Sequence, residues 1–280
     1  MERLLQEIKF AHISPVSFMH LAESKSGINL VLAHLVGDNE YTKFYRSSEK
    51  ETIMDNSAFE LGESFDPEKL IDLGHMVGAD YLVLPDYPSQ HFALTIDAAE
   101  KWIPKFKQAG FKTFFVPQSN KGDLNGYLQA WKWAIDNPDV DLIGCSILGA
   151  PNALGINDKY LRMSARYSIL SMLSEKLDMD SLYKRVHMLG MLDTVREISL
   201  CKMFEKYIYS WDSSAAVWAG MNCETLADRY SKFELPVDFS ATSLLGYMVE
   251  QNIDFVNSLL SKTHQESFEL SCLNNLSGTK

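Results

Sequence analysis

The chain has 280 residues, of which 46% are apolar and 22% charged, and its formal net charge at pH 7 is −11. This composition excludes a disordered or low-complexity chain. The acidic balance argues against a protein that coats nucleic acid through a generally basic surface. Local cationic tracks remain possible at three clusters: Lys101 with Lys105, Lys107 and Lys112, Arg162 with Arg166, and Lys184 with Arg185.

The cysteines and the N-terminus bear on the cellular compartment. Cys145, Cys201, Cys223 and Cys272 lie at no zinc-knuckle spacing, and they are too few for a disulfide scaffold of this size. The first ten residues mix charged and apolar side chains, unlike a signal peptide, and no run of 18 apolar residues occurs. We therefore expect a soluble, cytoplasmic protein that does not associate with a membrane.

Short apolar runs alternate with longer amphipathic runs along the chain. Seven or eight strands are predicted, from the runs 10–14, 29–35, 51–55, 81–84, 112–116, 140–147, 185–189 and 207–211. Helices are predicted over 67–77, 96–109, 126–135, 159–177, 195–206 and 243–261, followed by a frayed end. The first of these helices has Asp66 as its N-cap and Pro67 at its first position.

This rhythm favours parallel βαβ units. An open doubly wound sheet fits it as well. However, polar residues recur just after the predicted strand ends, where a closed barrel has its active face. We therefore predict a (β/α)8 TIM-type barrel over residues 1–240, on which a C-terminal helix and tail, residues 241–280, would pack.

Three carboxylates follow predicted strand ends: Asp55, Asp86 and Asp212. In a barrel they would meet at one rim, together with the amide of Gln118 and the turn at Gly144. Each aspartate taken alone is typical of a helix N-cap in a βα loop. All three together, each at the end of an apolar strand, indicate a site.

Taken in order, these strand ends resemble the motifs of the tRNA-guanine transglycosylase family. The family's D-[ST]-G-G-F-Q corresponds to DNSAFE at 55–60, and its base-recognising Asp, in a D-x-x-P-like turn, to Asp86. The family motif V-Q-G corresponds to VPQS at 116–119, and I-G-G-L-A-V-G corresponds to IGCSILG at 143–149. The motif Y-L-M-G-V corresponds to VHMLGM at 186–191, and F-D-C-V corresponds to WDSS at 211–214. The resemblance covers about residues 50–220 and implies a (β/α)8 barrel that exchanges guanine for a 7-deazaguanine.

The sequence departs from the family pattern at three places. Ser57-Ala58 replaces the glycine pair of the first motif, which we expect to narrow the wall of the base pocket. The family's terminal zinc motif is not seen, and Ser214-Ala215-Ala216 replaces a basic Pro-Thr-Arg. Because these parts dock tRNA in the family, the chain looks like the shorter DpdA-type relatives of phages and DNA-modification clusters, which place a 7-deazaguanine derivative in DNA.

The resemblance implies a chemical role for each carboxylate. Asp212 would be the nucleophile that forms an ester with C1′ of the sugar, because a carboxylate stabilises an oxocarbenium-like transition state and can then bond to it. Asp55 would move the protons of the outgoing and incoming bases. Asp86 would accept hydrogen bonds from N1–H and the N2 amino group of guanine.

The remaining contacts implied by the resemblance concern the rest of the base. Donors to O6 would come from Gln118 and from the backbone near Gly144 and Cys145. Stacking on the base would come from one or more of Phe59, Tyr87 and Met191. No metal and no cofactor is expected. The expected partners are DNA rather than tRNA, a free purine-like base, and a second copy of the chain or an auxiliary protein.

Two other functions stay open on the sequence. The same barrel could hydrolyse an N-glycoside or transfer the sugar to another acceptor, with the same three carboxylates. It could also be a catalytically inactive barrel that binds a nucleotide or a partner protein. His12, His34 and His187 lie within predicted strands and are interpreted as core residues rather than ligands.

Overall fold

The computed structural model describes residues 7–37, 39–158, 161–176, 182–183, 185–191, 194–226, 238–242, 246–262 and 266. In them, eight parallel strands alternate with helices and form one nearly closed barrel, so the predicted (β/α)8 architecture is confirmed. The strands are β1 Lys9–His12, β2 Asn29–Leu32, β3 Thr52–Asp55, β4 Tyr81–Val83, β5 Lys112–Phe115, β6 Leu142–Ser146, β7 Val186–Leu189 and β8 Ile208–Ser213.

The helices cover the outside of the barrel. They are α1 Met19–Lys25, α2 Glu40–Arg46, α3 Ala58–Leu61, α4 Pro67–Val77, α5 Phe92–Gln108, α6 Leu124–Asp136, α7 Gly149–Ala153, α8 Ala165–Lys176, α9 Thr194–Cys201, α10 Ala215–Met221 and α11 Gly246–Ser261. Short 3-10 turns lie at Val16–Phe18, Ala33–Leu35, Arg162–Ser164 and Lys202–Phe204.

The two ends of the hydrogen-bonded sheet, which runs in the order β1-β8-β7-β6-β5-β4-β3-β2, come together. The N–H of Gly27 donates to the carbonyl of Phe10 at 2.8 Å, just before β2 begins. A Cβ atom at position 27 would lie 3.4 Å from Cα of Lys9, which is an ordinary contact, so the approach of the two chains does not depend on glycine. The closure excludes the open doubly wound sheet and brings the carboxyl ends of all strands to one mouth.

Strand side chains alternate between two cores, as the two-residue period of a strand requires. One core fills the barrel and contains Leu30, Ile53, Val83, Phe114 and Leu142. The other core lies between the strands and the helices. It contains the strand residues adjacent in sequence to those of the first core: Val31, Met54, Leu82, Phe115 and Ile143. Both faces of the strands are buried, which explains their nearly continuous apolar runs.

A polar cluster closes the end of the barrel at which the strands begin. The carboxylate of Glu51 accepts hydrogen bonds from Nζ of Lys9 at 2.9 Å, from Nζ of Lys112 at 3.3 Å and from the hydroxyl of Tyr209. Burial acts to raise the pKa of Glu51, but the bonds from Tyr209 and Lys9 outweigh it and lower the pKa. The cluster joins β1, β5, β8 and the entry to β3.

The helix predictions differ from the structure mainly at helix ends and in short helices. Helix α5 begins at Phe92 rather than 96, where the His91 side chain accepts from the N–H of Ala93. Helix α9 ends at Cys201 and continues only as a 3-10 turn. The helices α1, α2, α3, α7 and α10 are too short to show a helical period and were not predicted. Positions 159, 160, 177 and 243–245, and the predicted frayed end apart from residue 266, lie outside the described residues.

Helix α11 packs on α10, α9 and α1. Two buried polar side chains fix it in place. The amide of Asn252 accepts from the N–H of Leu226 at 2.8 Å and donates to the carbonyl of Glu224 at 2.9 Å. Nζ of Lys202 donates to the carbonyls of Leu259 and Leu260, near the helix end, at 3.2 and 2.8 Å. The division of the chain at residue 240 stays a prediction.

The closest approach between α10 and α11 is at Gly220, where a Cβ atom would lie 2.5 Å from both N and Cα of Val249. Backbone atoms cannot yield as a flexible side chain can, so we expect Gly220→Ala to lower the free energy of unfolding by about 1–3 kcal/mol or more. Denaturant unfolding followed by circular dichroism measures this. The control is Gly246→Ala, because a Cβ atom there would meet only Cε1 of Phe18, at 3.9 Å. Equal stability of Gly220→Ala and wild type would contradict the packing described.

Candidate active site

A pocket opens at the mouth of the barrel, where the strands end. It has about 970 Å³ of atom-free space, including its open entrance. Asp55, Asp86, Gln118 and Asp212 all line it, above an apolar floor that includes Leu30 and Val83. The four side chains that the sequence placed at one rim therefore share one cavity.

Among the predicted aromatic and apolar contacts, Phe59 lines the pocket and is 62% exposed at its entrance. Tyr87 and Met191 do not line it. The side chain of Met191 is buried in the core beneath the helices, and Pro88 takes the place in the wall that was predicted for Tyr87. The expectation that either of these residues faces a bound base is corrected accordingly.

Gly144 and Cys145 also lie outside the pocket. Gly144 is enclosed in the barrel, where a Cβ atom would lie 2.8 Å from both Leu189 and Phe114. The side chain of Cys145 points to the helix side, and its carbonyl accepts from Nη1 of Arg166 at 3.2 Å. Ser146, Ile147 and Leu148 contribute to the wall instead, where β6 ends and the chain turns toward α7.

Asp212 is held by one of its two oxygens. Oδ1 accepts from Nε2 of His187 at 2.9 Å and from the N–H of Gly190 at 3.0 Å. Among the described residues, Oδ2 has no hydrogen-bond partner. Gly190 has a φ of 70°, which favours glycine, and a Cβ atom there would lie 2.8 Å from Ile147. The turn after β7 thus presents a backbone donor to the carboxylate.

Asp86 is held by three side chains. Its Oδ1 accepts from Nδ2 of Asn56 at 2.8 Å and from the hydroxyl of Ser64 at 3.1 Å, and its Oδ2 accepts from Nε2 of Gln118 at 2.7 Å. Burial raises the pKa of Asp86, although these hydrogen bonds act to lower it. One amide hydrogen of Gln118 is therefore used inside the protein, and Oδ2 is the oxygen of Asp86 with room for a further donor.

Asp55 lies among like charges. Burial raises its pKa well above the usual value, and the charge of Glu60 adds to this, followed by those of Asp86 and Asp212. The one hydrogen bond to its carboxylate described by the structure comes from the N–H of Ser57, at 3.0 Å, and acts in the opposite direction. Asp55 therefore retains a proton at a higher pH than an ordinary aspartate, as a group that exchanges protons with a substrate should.

The loop after β3 adopts an unusual backbone conformation at Ser57, whose φ is 53°. This position corresponds to the first glycine of the family motif, and left-handed backbone costs a serine more than a glycine. The Ser57 hydroxyl lies 2.9 Å from Nδ1 of His34 and 3.3 Å from the His34 N–H, which helps to hold the conformation. Ser57 is fully buried and only Ala58 of the pair lines the pocket, and the expected narrowing of the wall stays a prediction.

The charges of the wall have one sign. Asp55, Glu60, Asp86 and Asp212 line the pocket, and none of the described residues that line it is a lysine, an arginine or a histidine. A phosphate would be repelled inside such a cavity, whereas a neutral ring rich in N–H donors would be favoured. The wall fits a purine edge better than the phosphate of a nucleotide.

Most cationic side chains of the clusters seen in the sequence are paired with carboxylates or buried, although Lys101 is exposed. Lys105, Lys107 and Lys112 pair with Glu68, Asp141 and Glu51 at 3.2, 2.6 and 3.3 Å. Arg166 is buried against Glu197, and Arg185 donates to backbone carbonyls at the end of α6. Lys184 lies outside the described residues.

Sequence reasoning missed His187, Ser210, Asn56 and Ser64, which support the carboxylates. His187 was interpreted as a core residue; it is buried, as expected, but its ring contacts Asp212. The role of His187 could have been suspected from the sequence, because it is a polar residue within an apolar strand, two positions before the strand ends. Asn56 directly follows Asp55 in the first motif and was quoted without a role.

Membrane-spanning helices are not found in the described part of the chain, nor is a cluster of three or more His, Cys, Asp or Glu side chains that could hold a metal ion. A search with protein-family models found none that matches this chain, and a search of curated proteins found no match either. The case for a function therefore rests on the pocket itself.

Proposed function

We propose that this chain is a base-exchanging glycosyltransferase that replaces guanine in DNA, rather than in tRNA, by a 7-deazaguanine derivative through a covalent aspartyl-glycosyl intermediate. One observation carries the proposal. Asp212 shares a pocket with Asp55, a carboxyl group of raised pKa, and with Asp86, a carboxylate held in place by hydrogen bonds. One oxygen of Asp212 accepts hydrogen bonds from two donors, and its other oxygen has no hydrogen-bond partner among the described residues.

In the first half-reaction, Oδ2 of Asp212 bonds to C1′ of the target nucleotide while the bond from C1′ to N9 of guanine breaks. The electron pair of that bond leaves with the base, and protonated Asp55 supplies a proton to it. The negative charge of Asp212 stabilises the oxocarbenium character of C1′ in the transition state. The product is an ester between Asp212 and C1′ of the sugar, and the sugar remains part of the DNA backbone.

In the second half-reaction, the incoming base gives its proton to the carboxylate of Asp55, and its ring nitrogen attacks C1′. The ester bond from C1′ to Oδ2 breaks, and its electron pair returns to Asp212. Two displacements at C1′ restore the original configuration. Asp55 ends the cycle protonated, as it began, so the exchange needs no other proton donor.

Recognition of the base would use the fixed groups on the opposite wall. Oδ2 of Asp86 can accept one further hydrogen bond, from the N1–H and N2 edge of guanine, which a 7-deazaguanine shares. The second amide hydrogen of Gln118 is available to O6, and the exposed ring of Phe59 can stack on the base at the entrance. The target nucleotide must leave its stack to enter, at a cost of a few kcal/mol in a duplex.

The phosphates of the polymer need cations, and most cations of the three clusters seen in the sequence are paired or buried. We therefore include in the proposal that a second copy of the chain or an auxiliary protein contributes to docking the DNA. Such a contact would lie around the mouth, where Phe59 and Leu148 are 62% and 44% exposed.

The proposal predicts that purified wild type, given single-stranded or duplex DNA and labelled guanine, incorporates the label into the polymer. Asp212→Asn removes the nucleophile and should reduce incorporation by more than about 10³-fold. Asp136→Asn is the matched control, since Asp136 is an exposed carboxylate that pairs with Lys132 on α6. Release of free guanine without incorporation would show a hydrolase instead. Unchanged activity of Asp212→Asn would reject both reactions.

Replacement of Asp55 by Asn should affect the second half-reaction most. The amide can still donate a hydrogen bond to the leaving base, but it cannot take the proton of the incoming one. The turnover should fall by about 10²–10⁴-fold, and a protein–DNA adduct should accumulate on a denaturing gel. The double variant Asp55→Asn with Asp212→Asn is the control and should form no adduct. If neither the wild type nor Asp55→Asn forms an adduct with any DNA, a covalent ester is excluded.

The pH dependence of adduct formation should depend on Glu60. Because the charge of Glu60 helps to raise the pKa of Asp55, Glu60→Gln should lower that pKa. The general acid of the first half-reaction is lost as the pH rises through its pKa, so the alkaline limb of the rate profile should move to lower pH. Single-turnover adduct yields measured against pH give the shift. Glu63→Gln, on the same loop but outside the pocket wall, is the control, and an equal shift in both variants would contradict the assignment.

A further inference from the structure

Two buried polar side chains beneath Asp212 are connected to it by hydrogen bonds. His187 on β7 and Ser210 on β8 are both fully buried. Nδ1 of His187 lies 2.7 Å from Oγ of Ser210, and Nε2 lies 2.9 Å from Oδ1 of Asp212. We propose that Ser210 and His187 are positioning residues that select Oδ2 of Asp212 as the attacking atom and stabilise the carboxylate when the ester breaks.

An irregularity in the sheet places these residues side by side. Val186 pairs with Ile208, but the next residue, His187, pairs with Ser210, so β8 contains one extra residue at Tyr209. Such a bulge re-aims side chains. As a result Tyr209 reaches the cluster at the closed end of the barrel, while Ser210 meets His187. A regular strand would pair residue 209 with His187.

The chemistry of the three groups assigns the hydrogens. A carboxylate oxygen accepts, so Nε2 of His187 carries the proton that binds Oδ1 of Asp212. The hydroxyl of Ser210 then donates to Nδ1, which keeps the ring in the tautomer with the proton on Nε2. The ring of Phe114, 5.2 Å away between centroids, packs against the imidazole edge-on and fixes its plane. The orientation is set entirely by buried groups.

Two donors on one oxygen distinguish the two oxygens of Asp212. Nε2–H of His187 and the N–H of Gly190 both bind Oδ1, which leaves the lone pairs of Oδ2 for C1′. In the ester, Oδ1 is the carbonyl oxygen. When the bond from C1′ to Oδ2 breaks, the electron pair returns to the carboxylate, and the same two donors stabilise its charge. Preorganised donors of this kind act without reorganisation at the moment of reaction.

This inference rests on the proposed function, and its test separates the two. Three variants are compared with the wild type in the exchange assay with labelled guanine. His187→Leu removes the donor to Oδ1, His187→Gln keeps an N–H near the position of Nε2, and Ser210→Ala removes only the partner of Nδ1. Ser26→Ala is the control, because Ser26 is a buried serine that bonds the backbone of His12 and Ala22, away from the pocket.

We expect kcat of His187→Leu to fall about 100-fold, with KM for the free base and for DNA within about twofold. His187→Gln should recover at least tenfold of that loss, and Ser210→Ala should lie between His187→Leu and wild type. The control should keep the wild-type kcat. A folded His187→Leu that keeps kcat within threefold of wild type, or a His187→Gln as slow as His187→Leu, overturns the positioning role.

A second measurement does not depend on activity or on folded variants of His187. Nitrogen-15 spectra of wild type labelled at histidine should show that the ring of His187 carries its proton on Nε2. The ring signals of His187 are identified as those whose chemical shift changes in Ser210→Ala. A proton on Nδ1 overturns the inference. A wild type that neither exchanges nor releases a base overturns the proposed function, and the spectra then decide whether the buried arrangement itself is correct.

Discussion

Three aspartates share one pocket, and the hydrogen bonds and charges around each of them determine what its carboxyl group can do. Asp86 accepts from Asn56, Ser64 and Gln118 and is thereby held as a rigid acceptor. Asp212 has donors on one oxygen alone. Asp55 has a single backbone donor and the charge of Glu60 nearby, and its pKa is raised well above the ordinary value. These different environments are the ones that the proposed function requires of an acceptor, a nucleophile and a proton carrier.

The barrel makes this arrangement possible because it presents inward positions at one mouth. Apolar side chains occupy inward positions on β2 to β6, the polar pair of His187 and Ser210 lies on β7 and β8, and carboxylates line the mouth. A polar cluster around Glu51 fills the opposite end. Substrates can therefore reach the carboxylates through the mouth, and burial strengthens the electrostatic interactions among them.

Much of the fold followed from local pattern. Helix α4, with Asp66 and Pro67 at its start, was predicted to the residue, because capping and periodicity act within one element. Short helices such as α3 and α7 were not, since four or five residues show no period. Within the site, the strand-end residues Asp55, Asp86, Gln118 and Asp212 were predicted to meet, and they line one pocket. Cys145, Tyr87 and Met191 were assigned to it and lie elsewhere, because side-chain direction near a strand end depends on the local backbone, and Gly144 is enclosed within the barrel.

The sequence by itself determined the alternation of strands and helices and the polar residues at strand ends, because both depend on residues that are close in the chain. The order along the chain of the carboxylates that could line a site followed from these. Only the tertiary structure decided that the ring closes at Gly27, that β8 carries a bulge, and that His187 lies between Ser210 and Asp212. Those features depend on register between strands that are distant in sequence. A shift of one residue there reverses which side chains face inward, and no local pattern records it.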